Sequence, residues 1–183
     1  MQTTLTLSLE TPRLIIRTIT EDDLADLFNV FSDDDITHFL PYTTWQNKDD
    51  ARAWYDKVLE NAAAASAIQC VMADKHSGKV IGSILLFRFD TECARAELGY
   101  ALGKPYWGKG YMAEALKTLL PHAFTHMGFN RIEAEVDTRN APSANLLRHL
   151  GFQQEGLMRQ RWTMKGQVKD TLFFAMLGDE WVG

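Results

Sequence analysis

The segment that most restricts the fold is Tyr106-Trp107-Gly108-Lys109-Gly110-Tyr111-Met112-Ala113. A β-rich pattern from Ala96 to Leu102 precedes it, and a helical pattern from Tyr111 to Met127 follows, stopped by Gly128. Glycines at such a junction let backbone approach a ligand closely. The start of the helix presents N–H groups that have no partner inside the helix. The aligned peptide dipoles add about +0.5 charge there. The junction is therefore a preformed anion site, suited to a phosphate.

The remaining elements follow from spacing and punctuation. Leu14 to Arg17 reads as a strand after Pro12. Thr20 with Asp23 three residues on resembles a capping box, and Leu24, Leu27, Phe28 and Phe31 repeat at helical spacing. Asp33-Asp34-Asp35 is expected to end that helix in a loop. A second helix is expected from Asn47, burying Ala51, Trp54, Tyr55 and Val58. Ile68–Ala73 and Val80–Phe89 read as strands joined by the turn His76-Ser77-Gly78-Lys79. Pro121 is expected to kink the Tyr111–Met127 helix. Arg131–Asp137 reads as a strand, and Ala141–Leu150 as a helix with Pro142 in its first turn and Gly151 past its end. Phe152–Met164 and Asp170–Leu177 read as strands joined through Lys165-Gly166. No Ser/Gly/Pro-rich linker or repeat divides the 183 residues, so one α/β domain spanning 1–183, with a core of about 10–180, is expected.

Charge narrows the function classes. Nineteen basic against twenty-four acidic residues give −5, which argues against direct nucleic-acid binding. Residues 1–60 hold 12 acidic and 5 basic side chains, whereas residues 61–183 hold 12 and 14. That asymmetry fits an acidic side for a cationic substrate and a basic side for an anionic cofactor, although a solvated acidic surface has the same signature. Cys70 and Cys93 stand far apart and outside any Cys-x-x-Cys. No disulfide scaffold or metal site is expected, and a reducing cytoplasm suits both cysteines. The start, Met1-Gln2-Thr3-Thr4, lacks the marks of a secretory signal, and no apolar run is long enough to span a membrane. His122 and His126 share a helix face, but no Glu follows His122, so the zinc-protease pattern is missing.

Three phosphate motifs compete for the glycine segment. Gly103, Gly108 and Lys109 fit G-x-x-x-x-G-K, but Gly110 replaces the Ser/Thr that holds magnesium, and Pro105 removes an amide. Gly108, Gly110 and Ala113 fit G-x-G-x-x-A, with Glu133, Glu135 and Asp137 further on. Too little chain follows Asp137 to complete a doubly wound sheet, so a nicotinamide dehydrogenase is an outside rival.

The third reading uses more of the chain. Arg139-Asn140-Ala141-Pro142-Ser143-Ala144-Asn145-Leu146-Leu147-Arg148-His149-Leu150-Gly151-Phe152 resembles the second cofactor motif of the GNAT acetyltransferases. Trp107-Gly108-Lys109-Gly110 resembles their pyrophosphate loop, and Glu97-Leu98-Gly99-Tyr100 the strand before it. Glu10-Thr11-Pro12-Arg13-Leu14 and Gly156 to Asp170 resemble the RimJ/RimL branch, the ribosomal-protein-alanine acetyltransferase type. Two residues depart from the superfamily loop: Trp107 stands where Gln or Arg is usual, and Met112 where a small residue is usual.

The resemblance implies a single-domain α/β fold. Its sheet would be mixed and mostly antiparallel, flanked by helices, with splayed central strands. It implies acetyl transfer from acetyl-CoA, with no metal, to a primary amine. The acceptor would be the N-terminal α-amine of a protein, including a ribosomal protein; a small amine such as a polyamine or an aminoglycoside-like compound is the enzymatic alternative. A silent acyl-CoA-binding module is the non-enzymatic one. A cytoplasmic monomer or homodimer is expected. Leu98, Gly99 and Tyr100 would bind the pantetheine arm, and Trp107, Gly108, Lys109, Gly110, Tyr111 and Met112 the pyrophosphate. Asn140, Asn145 and Arg148 would contact the cofactor arm and nucleotide. Glu97 would serve as base, and Ser143 or Tyr100 would assist the leaving thiolate, with Tyr111 as a further donor. The aromatics Phe39, Tyr42 and Trp45, in an expected loop, would wall the acceptor side, while Phe28 and Trp54 pack in the core.

Overall fold

The computed structural model describes residues 6–181. Eight strands form one sheet: β1 (Ser8–Glu10), β2 (Leu14–Thr18), β3 (Ala67–Asp74), β4 (Val80–Asp90), β5 (Arg95–Leu102), β6 (Arg131–Asp137), β7 (Gln153–Met164) and β8 (Gln167–Leu177). The spatial order is β1-β2-β3-β4-β5-β6-β8-β7. Every neighbouring pair is antiparallel except β5 and β6. Those two run parallel and pair only at Arg95–Arg131, Ala96–Ile132 and Glu97–Glu133. Beyond Glu97 the ladder stops, although β5 continues to Leu102 and β6 to Asp137. The sheet therefore opens as a V at its centre.

Alternation along the strands sorts side chains onto two faces. On one face, Ile84, Leu86, Ala96, Leu98, Ile132, Ala134 and Val136 pack against helices α4 (Tyr111–Thr125) and α5 (Ala141–His149). On the other, Val71, Ala73, Val80 and Ala101 meet α1 (Leu24–Phe31), α2 (Asp34–Thr37) and α3 (Lys48–Ala63). The parallel β5–β6 crossover is built by α4, as parallel strands require.

The Asp23 carboxylate accepts from the Thr20 amide at 2.8 Å, closing the expected capping box. Asn47 caps α3 by accepting from the amides of Asp49 and Asp50. The β6 bounds agree with the sequence reading. Four expectations need correction. Asp33-Asp34-Asp35 does not end in loop: the Asp33 side chain accepts from the Asp35 amide and starts α2. Helix α4 ends at Thr125 rather than Met127, and Pro121 lies inside it as the sequence reading had it. Strand β8 starts at Gln167, three residues before Asp170, because the Lys165-Gly166 turn is tight and pairing resumes at once. Trp45 and Tyr42 belong to the core around Phe31, with ring centroids 4.8 and 5.6 Å away, so they do not line an acceptor wall.

Candidate active site

A cleft of about 710 Å³ opens at the V. Its lining comes from both sheet faces: Ile36, Phe39 and Leu40 beside α2, Tyr100 to Leu102 on β5, the glycine loop, and Asn140, Ser143 and Leu146 by α5. Much of the lining is hydrocarbon, and a few polar groups converge on it, the composition of a small-molecule site.

The loop is shaped by two residues in the left-handed region, Gly108 (φ +68) and Gly110 (φ +76). Only glycine enters that region without strain. Gly110 leads directly into α4, whose first internal bond runs from the Glu114 amide to the Gly110 carbonyl. Among the described residues, no N–H from Gly108 to Ala113 finds a protein acceptor. These amides, at the positive end of a fifteen-residue helix, form a cradle matched to a diphosphate. The Met112 side chain is buried in the core, so its size does not fill the cradle. Trp107 is anchored by its indole N–H, which donates to the Leu102 carbonyl at 2.7 Å. The Lys109 ammonium donates to the Pro105 carbonyl, also at 2.7 Å.

The second wall is the start of α5. Asn140 caps that helix, its side chain accepting from the Ser143 amide at 3.2 Å, and it also lines the cleft. Its amide donates to the Asp137 carbonyl. Asp137 is held by Arg139, whose Nε and Nη2 donate at 2.9 and 2.8 Å, and Lys169 Nζ lies 3.5 Å from it. The Arg139 guanidinium, joined by Lys169 against the opposing effect of burial, brings the Asp137 carboxyl down to about 2. Tyr100 Oη and Ser143 Oγ lie 2.8 Å apart across the V, joining β5 to α5. Burial pushes the Tyr100 phenol up to about 12. Tyr100 therefore remains an O–H donor throughout the physiological range.

Glu97 sits at the apex of the V, where β5 and β6 still pair, and does not line the cleft. Arg88 Nη1 donates to its Oε2 at 2.7 Å. Burial raises its pKa above the ordinary carboxylate value, helped by Glu135 and Glu133 and opposed by Arg88. Along a strand rising roughly 3.3 Å per residue, Gly99 is the next position on the same face, toward the cleft.

The other expected site residues divide. Tyr100, Trp107, Gly108, Gly110, Tyr111, Met112, Asn140, Ser143 and Asn145 all line the cleft. Leu98 is buried in the core, Gly99 is half-buried, and neither lines the cleft. Arg148 turns away: it donates to Asn145 Oδ1 and Gln154 Oε1. Leu146 and His149 line the cleft and escaped the sequence reading. The signal was present, because Pro142, Asn145, Leu146 and His149 stand at i, i+3, i+4 and i+7 on one helix face.

The chain is similar to known acetyltransferases in sequence and fold. A family model described as the acetyltransferase (GNAT) domain matches residues 13–153. An uncharacterized N-acetyltransferase, p20, of Bacillus licheniformis is 35% identical over 176 residues, which cover 96% of this chain and 99% of that protein. The [ribosomal protein uS5]-alanine N-acetyltransferase of Escherichia coli is 26% identical, over 94% of this chain and 92% of its own length. The crystal structure of the ribosomal-protein-S5-alanine acetyltransferase from Vibrio fischeri superposes with a TM-score of 0.81 at 25% identity, covering 97% of this chain and all of that one. The chain belongs to the GNAT acetyltransferase family. It is an acetyl-CoA-dependent N-acetyltransferase, and the phosphate-loop NTPase and dinucleotide readings are set aside.

Proposed function

We propose that the enzyme acetylates the N-terminal α-amine of a protein, of the ribosomal-protein kind. The observation that carries this reading is that, among the described residues, no carboxylate at the cleft is free: Asp35, which lines it, pairs with Lys104, and His149 is the last residue of α5, six past Ser143. The one carboxylate on the reacting strand, Glu97, stands back at the apex under Arg88. A lysine amine, near pKa ~10.4, must lose a proton to a capable base before it attacks, whereas an α-amine at ~7.7–8.0 is partly neutral already. A distant carboxylate working through water is adequate for the second task. The full-length likeness to an alanine acetyltransferase supports the same choice.

In this scheme the amides of Gly108 to Met112 hold the pyrophosphate, and Asn140 and Asn145 flank the cofactor arm. The bound coenzyme supplies a thioester acyl group open to attack. Glu97 receives the proton lost by the amine. Tyr100, paired with Ser143 and lining the cleft, would offer its O–H to the leaving sulfur. A phenol near 12 is too weak an acid to protonate a thiolate of pKa ~8.5 outright, so Tyr100 stabilises the sulfur by a hydrogen bond. A hydrogen bond to a charged group contributes about 1.5–3 kcal/mol. Tyr100→Phe is thus expected to lower kcat by roughly 10–100-fold, with affinity for CoA little changed. A kcat equal to the wild type would remove Tyr100 from the scheme.

Glu97→Gln tests the base. Below the α-amine pKa the acceptor enters protonated and needs Glu97; above it the free amine does not. The variant's deficit is expected to be largest near pH ~6 and to shrink beyond pH ~8. A constant deficit across that range would clear Glu97 of proton transfer. The acceptor itself is settled by incubating the enzyme with acetyl-CoA and N-terminal peptides, lysine peptides or polyamines, and reading acetylation by mass. Preference for the lysine peptides or polyamines would overturn the α-amine reading.

A further inference from the structure

The segment Glu10-Thr11-Pro12-Arg13-Leu14 has no part in the scheme above, yet it is fastened to the cofactor loop. Thr11 Oγ1 donates to Glu114 Oε1 at 2.5 Å, and the Arg13 amide donates to the same oxygen at 2.9 Å. Arg13 Nε donates to Glu114 Oε2 at 2.6 Å. Its Nη1 donates to the Lys109 carbonyl at 2.9 Å, inside the loop. Its guanidinium carbon lies 4.0 Å from the centroid of the Tyr111 ring. A Cβ built on Gly110 would stand 3.6 Å from Arg13 Nη2. One arginine therefore touches the loop and the first turn of α4 at several atoms.

Glu114 is the acidic residue of that first turn. A carboxylate beside a helix start is ordinarily favourable, because it answers the positive end of the dipole. Here the same positive end must serve a diphosphate, and an unneutralised carboxylate would compete with it and repel it. Carbonyl oxygens in the loop pose the same hazard if they swing toward the cleft. Arg13 occupies both: its fork engages Glu114 on one side and the Lys109 carbonyl on the other.

We propose that Arg13 is a positioning residue for coenzyme A, neutralising Glu114 and fixing the loop so that its free amides face the diphosphate. This rests on the reading that the Gly108–Met112 amides hold that group. A purely structural clasp between the β1–β2 turn and α4 would behave differently, because its loss would not depend on the charge of Glu114.

Calorimetric titration with CoA separates the two. Arg13→Ala is expected to weaken CoA binding about tenfold, and Arg13→Ala/Glu114→Gln to recover to within about threefold of the wild type, since removing the carboxylate makes the arginine's charge unnecessary. In turnover the loss falls on the KM for acetyl-CoA, and the KM for the amine does not follow it. Affinity of Arg13→Ala within about twofold of the wild type overturns the inference, and so does a double variant as weak as the single one. Should Arg13→Ala fail to fold, Arg13→Lys carries the test: it keeps the charge, loses the fork, and is expected to bind CoA about threefold more weakly, with equal affinity counting against the proposal. If the wild type bound no CoA, the reading of the loop would fall as well; if it binds and the variants match it, this inference falls alone.

Discussion

Gly110→Val is expected to weaken CoA binding by at least about thirtyfold, the equivalent of roughly 2 kcal/mol. Two effects combine. At φ +76 a β-branched residue is strained, so the loop shifts to relieve it. The new side chain would also stand where a diphosphate would meet the helix start, its Cβ in ordinary contact 3.6 Å from Arg13 Nη2. Gly78→Val is the matched control. Gly78 has φ +71 and open space around it, and it lies in the β3–β4 turn, outside the cleft lining. The two variants carry comparable backbone strain, but only the first is expected to lose the coenzyme. Titration of both proteins, alongside thermal melts, decides the matter. Equal CoA affinity for Gly110→Val and the wild type would remove the glycine loop from the site.

The largest effect on stability is expected at Asp137. Its side chain and that of Lys169 are 3% and 6% exposed, so the ammonium has little access to water. Removing one partner of a buried pair leaves the other charge uncompensated, at a cost of about 3–5 kcal/mol. Asp137→Ala is therefore expected to lower the melting temperature by roughly 10 °C. Lys169→Met in the same chain should return part of that loss, because the stranded charge is gone. The pH dependence has a definite sign. The folded-state pKa is depressed from 3.8 to about 2, so the contribution is fully present above 3.8 and disappears as pH falls through about 2. Chemical denaturation between neutral pH and pH 2 is expected to show a shallower acid loss in Asp137→Ala than in the wild type. A variant within about 1 kcal/mol of the wild type at neutral pH would contradict the burial argument.

Most of the scaffold was legible because local signals agreed with tertiary demands. Arg131–Asp137 alternates side chains between a packed face and a charged one, so its bounds could be read directly. Asn47 and Asn140 marked helix starts by chemistry that works within three residues. What was missed depends on contacts distant in sequence. Helix α2 has four residues, too short for periodicity. It is held from outside: Lys165 donates to the Thr37 carbonyl at 2.7 Å, and Lys104 pairs with Asp35. Tyr42 and Trp45 do lie in a loop, but they read as acceptor-side aromatics because the return of that loop onto Phe31 leaves no local trace. The glycine loop was found from its own residues, whereas the Arg13–Glu114 clasp joins positions about a hundred residues apart. Arg148 was placed by motif alone, and its fork is spent on Asn145 and Gln154 beside the cleft rather than in it.

The gap in the middle of the sheet also bears on how the reactants would be held. Residues from opposite faces border it, with α4 and α5 on one side and α2 on the other. With the coenzyme on the first side, as proposed, the second would be left for the amine. The acyl group would then pass between two guests held at once, and no side chain of the enzyme would carry it in the interval.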